Sequence, residues 1–276
     1  MDASGLNSLR PIPQIMGVLN LTPDSFSDGG RFTDPAAALA QARRLIDAGA
    51  DLLDIGGEST RPGAEPVPAE AEIARVVPVI AALAAESPVP LSIDTLKPEV
   101  ARAAVAAGAS IWNDVSALTA PGAPDLAAEL GCGVVLMHMQ GEPRTMQAAP
   151  RYDDVVGEVT AWLAARAEAA MAAGVARRRI WLDPGIGFGK TLAHNLALLA
   201  HLDRLTALGF PVLLGVSRKS FLKAIDPAAA TAGDRLPGSL AAALAGARAG
   251  VAAVRVHDVA ETRQALLTWA AIEGAR

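Results

Sequence analysis

One repeating unit constrains this chain more than any other feature. A short apolar run, often β-branched, leads into a polar loop and then an Ala/Leu-rich amphipathic stretch, which ends in glycine before the next apolar run. Gly49, Gly108, Gly131, Gly174, Gly209 and Gly250 stand at those joints. Glycine just past a helix end supplies the left-handed residue that releases the chain into a strand. Candidate strands fall at 15–19, 51–55, 91–93, 110–112, 133–137, 179–182, 212–215 and 251–256. Helices are predicted at 35–48, 70–85, 98–107, 124–130, 153–173, 192–207, 238–249 and 259–274. This succession of β/α units over about 250 residues predicts an α/β chain folded as a single-domain (β/α)8 TIM barrel. Residues 1–13 read as an N-terminal extension and 14–276 as the barrel. An open doubly wound sheet is the other arrangement of such units, and no Gly-x-Gly-x-x-Gly follows the first strand to support it.

The 276 residues are 51% hydrophobic and carry a net charge of −5, so a large core is affordable and nucleic acid is not expected as a partner. No run approaches about 18 uninterrupted apolar residues, so no membrane span is expected. The first 13 residues hold no apolar signal core, which makes the cytoplasm the expected compartment. The single cysteine, Cys132, can form neither an intrachain disulfide nor a cysteine-rich metal site, and reads as a small buried filler.

Barrel strands are buried on both faces and should be apolar throughout. Here polar residues recur at their ends: Asn20, Asp54, Asp94, Asn113, His138, Asp183, Ser217 with Lys219, and Arg255 with His257. Each alone could cap a helix or satisfy a structural hydrogen bond. In a barrel, however, these ends converge on one mouth, where the longer loops 20–34, 56–69, 139–151 and 217–237 also lie. Asn113 and Asp114 are adjacent, so one faces away from the mouth and reads as structural. The stretch from Asp183 to Lys190 is glycine-rich, which suits close approach to a ligand. Its Gly185-to-Gly189 spacing is one residue too short for a phosphate-binding P-loop. Lysine occurs only at 97, 190, 219 and 223, so Lys219 at the end of strand 7 stands out. Arg255 and His257 share a face, and with Arg61 from a Gly/Pro-bounded loop they compose an anion site. Asp258 with Glu261 has the pattern of a capping box, and Asp34 before Pro35 that of a helix cap. Four histidines are too few for a binuclear hydrolase, and no Gly-x-Ser-x-Gly elbow supports a Ser-His-Asp triad.

The segments Leu19-Asn20-Leu21-Thr22-Pro23-Asp24-Ser25-Phe26-Ser27-Asp28-Gly29-Gly30 and Asp54-Ile55-Gly56-Gly57-Glu58-Ser59-Thr60-Arg61-Pro62-Gly63 resemble the two loop signatures of bacterial dihydropteroate synthases. Asp94-Thr95, Asn113-Asp114, Met137-His138-Met139-Gln140-Gly141, the Asp183-to-Lys190 stretch, Ser217-Arg218-Lys219-Ser220 and Arg255-Val256-His257-Asp258 continue in family order. The resemblance covers about residues 14–270; Leu21 where Val is commoner and Trp112 beside Asn113 are its small departures.

The resemblance implies condensation of 6-hydroxymethyl-7,8-dihydropterin diphosphate with 4-aminobenzoate to 7,8-dihydropteroate and diphosphate, in folate biosynthesis. It implies that Asp94, Asn113, Val115, Met137, Asp183 and Lys219 bind the pterin. Asn20, Arg61, Arg255 and His257 are implied for the diphosphate, with Mg²⁺ held partly by Asn20. Phe26, Thr60, Pro62, Phe188 and Ser217 are implied for 4-aminobenzoate, where sulfonamides are expected to compete. Asn20, Arg61, Lys219, Arg255 and His257 are the expected catalytic set, on an SN1-like path, and a homodimer is expected. Two alternatives share the pterin logic: a methyltetrahydrofolate-dependent corrinoid methyltransferase, and a catalytically silent paralogue. The roles of Asp24, Asp28 and Asp34 stay open.

Overall fold

The computed structural model describes residues 12–22, 35–59 and 65–275. Eight parallel strands run β1 (Gln14–Asn20), β2 (Leu52–Gly56), β3 (Leu91–Asp94), β4 (Ile111–Asp114), β5 (Gly133–Met137), β6 (Ile180–Asp183), β7 (Leu213–Gly215) and β8 (Ala253–Val256). Their order is β6-β5-β4-β3-β2-β1-β8-β7. A parallel bridge between Leu182 and Val212 joins the two ends, closing the ring and removing the open-sheet alternative. The helices are α1 (Pro35–Asp47), α2 (Ala69–Glu86), α3 (Pro98–Ala106), α4 (Ala123–Leu130), α5 (Val155–Ala172), α6 (Leu192–Ala200), α7 (Leu202–Thr206), α8 (Ser220–Ile225), α9 (Leu236–Ala249) and α10 (Val259–Gly274). No described helix is long and apolar enough to cross a membrane.

The glycine joints behave as the sequence predicts. All six have positive φ, from 59° at Gly131 to 117° at Gly108. The helix expected over 192–207 is instead two, because His201 leaves helical geometry at φ −125°, ψ 33°. The barrel's outer surface is sealed against the helices by aliphatic side chains, with Trp112 fully buried there and its indole donating to the Thr95 carbonyl at 2.8 Å. Inside the barrel, Met16, Leu52, Val135, Leu213 and Ala253 pack into a separate apolar floor, with Ile111 and Trp181 against it. Side chains alternate along a strand. Two residues beyond that floor come Asp54, Asn113, Met137, Asp183, Gly215 and Arg255, which brings them to the mouth together.

Candidate active site

At the C-terminal ends of the strands, above this floor, lies a cavity of about 490 Å³. Asn20, Asp94, Phe188, Ser217, Lys219, Arg255 and His257 line it, as their strand-end positions predict. Asn113, Val115, Met137 and Asp183 are not among the described lining residues; they are buried beside the cavity. For Met137 the reason is the loop after β6, which crosses over the end of β5: the place a Cβ would take on Gly185 is 3.3 Å from Met137 Cγ. Phe26, Thr60, Arg61 and Pro62 lie outside the described residues, as do Asp24, Asp28 and Asp34.

The charge pattern centres on Arg255. Its Nε donates to Asp54 Oδ2 at 2.5 Å and its Nη2 to Asp94 Oδ2 at 2.7 Å. Asn113 Nδ2 donates to the same Asp54 oxygen at 3.1 Å. Asp54 is the residue for which the sequence offered no role beyond its place at a strand end. Its place two residues after the floor residue Leu52 is the signal that puts it inside the barrel. Arg255 therefore reaches the mouth already paired with two carboxylates. Burial pushes the Asp94 carboxyl up to about 7 in spite of the Arg255 charge. Arg255 itself is raised: burial opposes its charge, and Asp54 and Asp94 outweigh it. Asp54 Oδ1 and Asp94 Oδ1 are buried without a hydrogen-bond partner among the described residues, an arrangement able to accept donors from a ligand.

A second charged pair stands across the mouth. Burial raises Asp183, opposed chiefly by Lys219, and burial lowers Lys219 to about 8, opposed by Asp183. Lys219 Nζ donates to the Ile186 carbonyl and sits 4.7 Å from the centre of the Phe188 ring. Gly215 matters here by what it lacks. A Cβ there would come 3.7 Å from Lys219 Nζ, 3.9 Å from Asp183 Oδ2 and 4.0 Å from Arg255 Cβ. The missing side chain thus keeps open the space where the three groups converge. Ser217 Oγ lies 3.0 Å from His257 Nδ1 and accepts from the His257 backbone N–H at 3.2 Å.

Asp258 is the N-cap residue of α10, but its side chain makes no cap hydrogen bond, which corrects the capping-box expectation. It instead takes Arg218, whose Nε donates to Asp258 Oδ2 at 2.9 Å. Arg218 sits at φ 59°, and its backbone N–H donates to Ser239 Oγ at 2.9 Å. The two contacts hold the strained turn that aims Ser217 and Lys219 at the cavity. Asp114 is the structural member of its pair. It accepts from Ser116 N–H at 2.7 Å and Leu118 N–H at 2.8 Å, bracing a turn in which Ala117 and Leu118 have positive φ. His138, expected at the mouth, turns away to Lys190 and Trp162. A further cluster had no sequence expectation. Lys97 Nζ donates to Glu58 and, at 2.6 Å, to Glu72, while Glu58 accepts from Val67 N–H at 2.9 Å. It joins two ends of the segment after β2 to helices α2 and α3, and only the fold brings these distant charges together.

Buried carboxylates facing an open cavity, with a lysine and an arginine interleaved, can bind a flat ring that presents several N–H donors. The model of the pterin-binding enzyme family matches residues 16–257. Dihydropteroate synthase of Neisseria meningitidis serogroup B is 53% identical over 266 residues, covering 94% of this chain and 93% of that protein. The chain belongs to the dihydropteroate synthase family. The family likeness extends to solved structures. The Xanthomonas albilineans dihydropteroate synthase with 4-aminobenzoic acid superposes with a TM-score of 0.89 at 53% identity, over 97% of this chain and 94% of that one. The same enzyme in complex with 7,8-dihydropteroate superposes at 0.86 and 50% identity, over 97% and 95%. None of these three is a corrinoid methyltransferase.

Proposed function

We propose that this member of the dihydropteroate synthase family condenses 6-hydroxymethyl-7,8-dihydropterin diphosphate with 4-aminobenzoate, giving 7,8-dihydropteroate and diphosphate. The observation that carries the reading is the convergence of Asp54, Asp94, Asp183, Lys219 and Arg255 around one cavity. Asp183 accepts the ring N–H and exocyclic amine of the pterin, while Asp94 and Asn113 take other edge atoms, with Val115 and Met137 beneath. Lys219 meets the ring carbonyl and N5. A ring lacking these donors would leave buried carboxylates unpaired, so the site selects the amine-bearing pterin ring.

Asn20, Arg61, Arg255 and His257 take the diphosphate. Arg255 does so while paired to Asp54 and Asp94, so one side chain links the pterin half to the leaving-group half. The described residues hold no cluster of three metal-ligating side chains. Asn20 on the cavity wall carries an amide oxygen that would suit an ion ligated mostly by phosphate oxygens. Bound there with Asn20 as its protein ligand, Mg²⁺ would supply charge neutralisation for the diphosphate. The carbon–oxygen bond to the diphosphate breaks first and its electron pair leaves with the oxygen. The electron-rich dihydropterin supports the methylene cation, the arylamine attacks it, and the amine proton is lost to solvent once the site reopens. Phe188 with Phe26 flanks the aminobenzoate ring, Thr60 and Pro62 close over it, and Ser217 takes its carboxylate. Excluding water at this point protects the cation. The active species is a cytoplasmic homodimer.

Chromatography of a reaction containing both substrates and Mg²⁺ tests the reading. Dihydropteroate should form, and a sulfonamide should raise the apparent KM for 4-aminobenzoate without changing kcat. Absence of product, or inhibition independent of aminobenzoate concentration, would contradict it.

A further inference from the structure

The loop between β6 and α6 wraps over the end of β5 on three left-handed glycines, Gly185, Gly187 and Gly189, at φ 65°, 84° and 58°. A Cβ on Gly185 would overlap the His138 carbonyl oxygen, so the loop and the end of β5 are in direct contact. Side chains from elsewhere satisfy its backbone. Lys219 donates to the Ile186 carbonyl, Gln147 to that of Gly187 at 2.5 Å, and Tyr152 to that of Gly189 at 2.8 Å. Asn195 Oδ1 accepts from Gly187 N–H at 2.7 Å.

One partner differs in kind. Lys190 is only 3% exposed. Its Nζ donates to the Phe188 carbonyl at 2.9 Å and the His138 carbonyl at 3.2 Å, and lies 3.0 Å from His138 Nδ1. Three ammonium donors thus meet three acceptors. The His138 ring packs edge-on to Trp162, with centroids 4.9 Å apart. Neither Lys190 nor His138 is among the described residues that line the cavity. Burying an ammonium is costly: burial pulls Lys190 down to about 7 and His138 down to about 3. A methionine would fill the same space without that cost, so packing alone does not account for the lysine. What the lysine grips is the carbonyl of Phe188, whose ring lines the cavity beside Lys219.

We propose that Lys190, anchored on His138, is a positioning residue for the aminobenzoate half of the site: it ties the Phe188 backbone to the end of β5 and thereby holds the Phe188 ring in place against Lys219. The inference rests on the synthase reading above. It weighs on the two substrates unequally: the pterin-side groups Asp54, Asp94 and Asn113 come from β2, β3 and β4, which carry no part of this loop, and Asp183 and Met137 are held in strands β6 and β5, while Lys219 is shared through its bond to the Ile186 carbonyl.

Steady-state kinetics of wild type and Lys190→Met, varying each substrate in turn, provides the test. The KM for 4-aminobenzoate should rise about tenfold or more. The KM for the pterin diphosphate should stay within about threefold of wild type. Calorimetric binding of the pterin diphosphate should stay close to wild type in each variant. His138→Asn, whose Oδ1 replaces Nδ1 as acceptor, should keep a near-normal aminobenzoate KM, whereas His138→Leu should behave like Lys190→Met. This pair carries the same comparison should Lys190→Met fail to fold. An unchanged aminobenzoate KM, a parallel rise in both KM values, or equal damage from the two His138 variants in an active background would overturn the inference alone. A wild-type protein that forms no product would overturn the synthase reading and the inference with it.

Discussion

Lys219 occupies a position where burial and neighbouring charge pull in opposite directions, and burial wins, lowering it to about 8 from its usual 10.5. Asp183 and Asp94 favour its charge, while Arg255 opposes it. If the protonated ammonium is what meets the pterin, kcat/KM for the pterin diphosphate should fall as pH rises through about 8. Lys219→Arg should move that limb to higher pH at the cost of a lower plateau, because guanidinium stays charged. A pH–rate profile of the two proteins checks this; an identical alkaline limb would contradict it. Stability carries the opposite sign. Between about 8 and 10.5 the unfolded chain keeps a proton that the folded chain has released, so Lys219 alone makes the fold more stable as pH rises through that window. At this scale the sequence was legible wherever alternation applied. Asp94, Asn113, Asp183 and Arg255 follow from strand ends, and so does the division of labour between Asn113 and Asp114. The pairing of Arg255 with Asp54 and Asp94 was not, because it joins residues on three strands and depends on the shear of the closed barrel.

Among the elements, the Glu58–Lys97–Glu72 cluster fastens the segment after β2 to helices α2 and α3. Glu72 is fully buried, and burial raises its pKa against the pull of Lys97. Lys97→Met would leave that carboxylate without its cation. Urea unfolding at neutral pH should show a loss of about 3–5 kcal/mol. Adding Glu72→Met should recover a large part of it, since a well-packed apolar pair can replace a buried ion pair. A single variant as stable as wild type would contradict the assignment. In sequence the segment fastened here leads to Arg61, proposed above for the diphosphate, so on that reading the same variant should also weaken turnover. Nothing in the local sequence announces this cluster; its members are 14 and 25 residues apart in two steps along the chain, from Glu58 to Glu72 and from Glu72 to Lys97. The elements themselves were far more legible. Glycine joints and apolar runs place all eight strands, while the break at His201 carries no sequence signal because 192–207 is Leu/Ala-rich on both sides of it.

For the whole molecule, ring closure turns eight unrelated strand ends into one mouth, and that is why scattered polar residues could be read together. If the homodimer proposed above forms, the 28.2 kDa chain should sediment at twice that mass at micromolar concentration. A particle of single-chain mass under turnover conditions would contradict the dimer. The most direct test of the account is a single-turnover measurement of diphosphate release from dihydropterin diphosphate and Mg²⁺ at increasing 4-aminobenzoate. The account predicts release coupled to dihydropteroate formation, with a first-order rate that does not change with aminobenzoate concentration once its site is filled. Binding of the pterin diphosphate with no diphosphate released at any aminobenzoate concentration would contradict it.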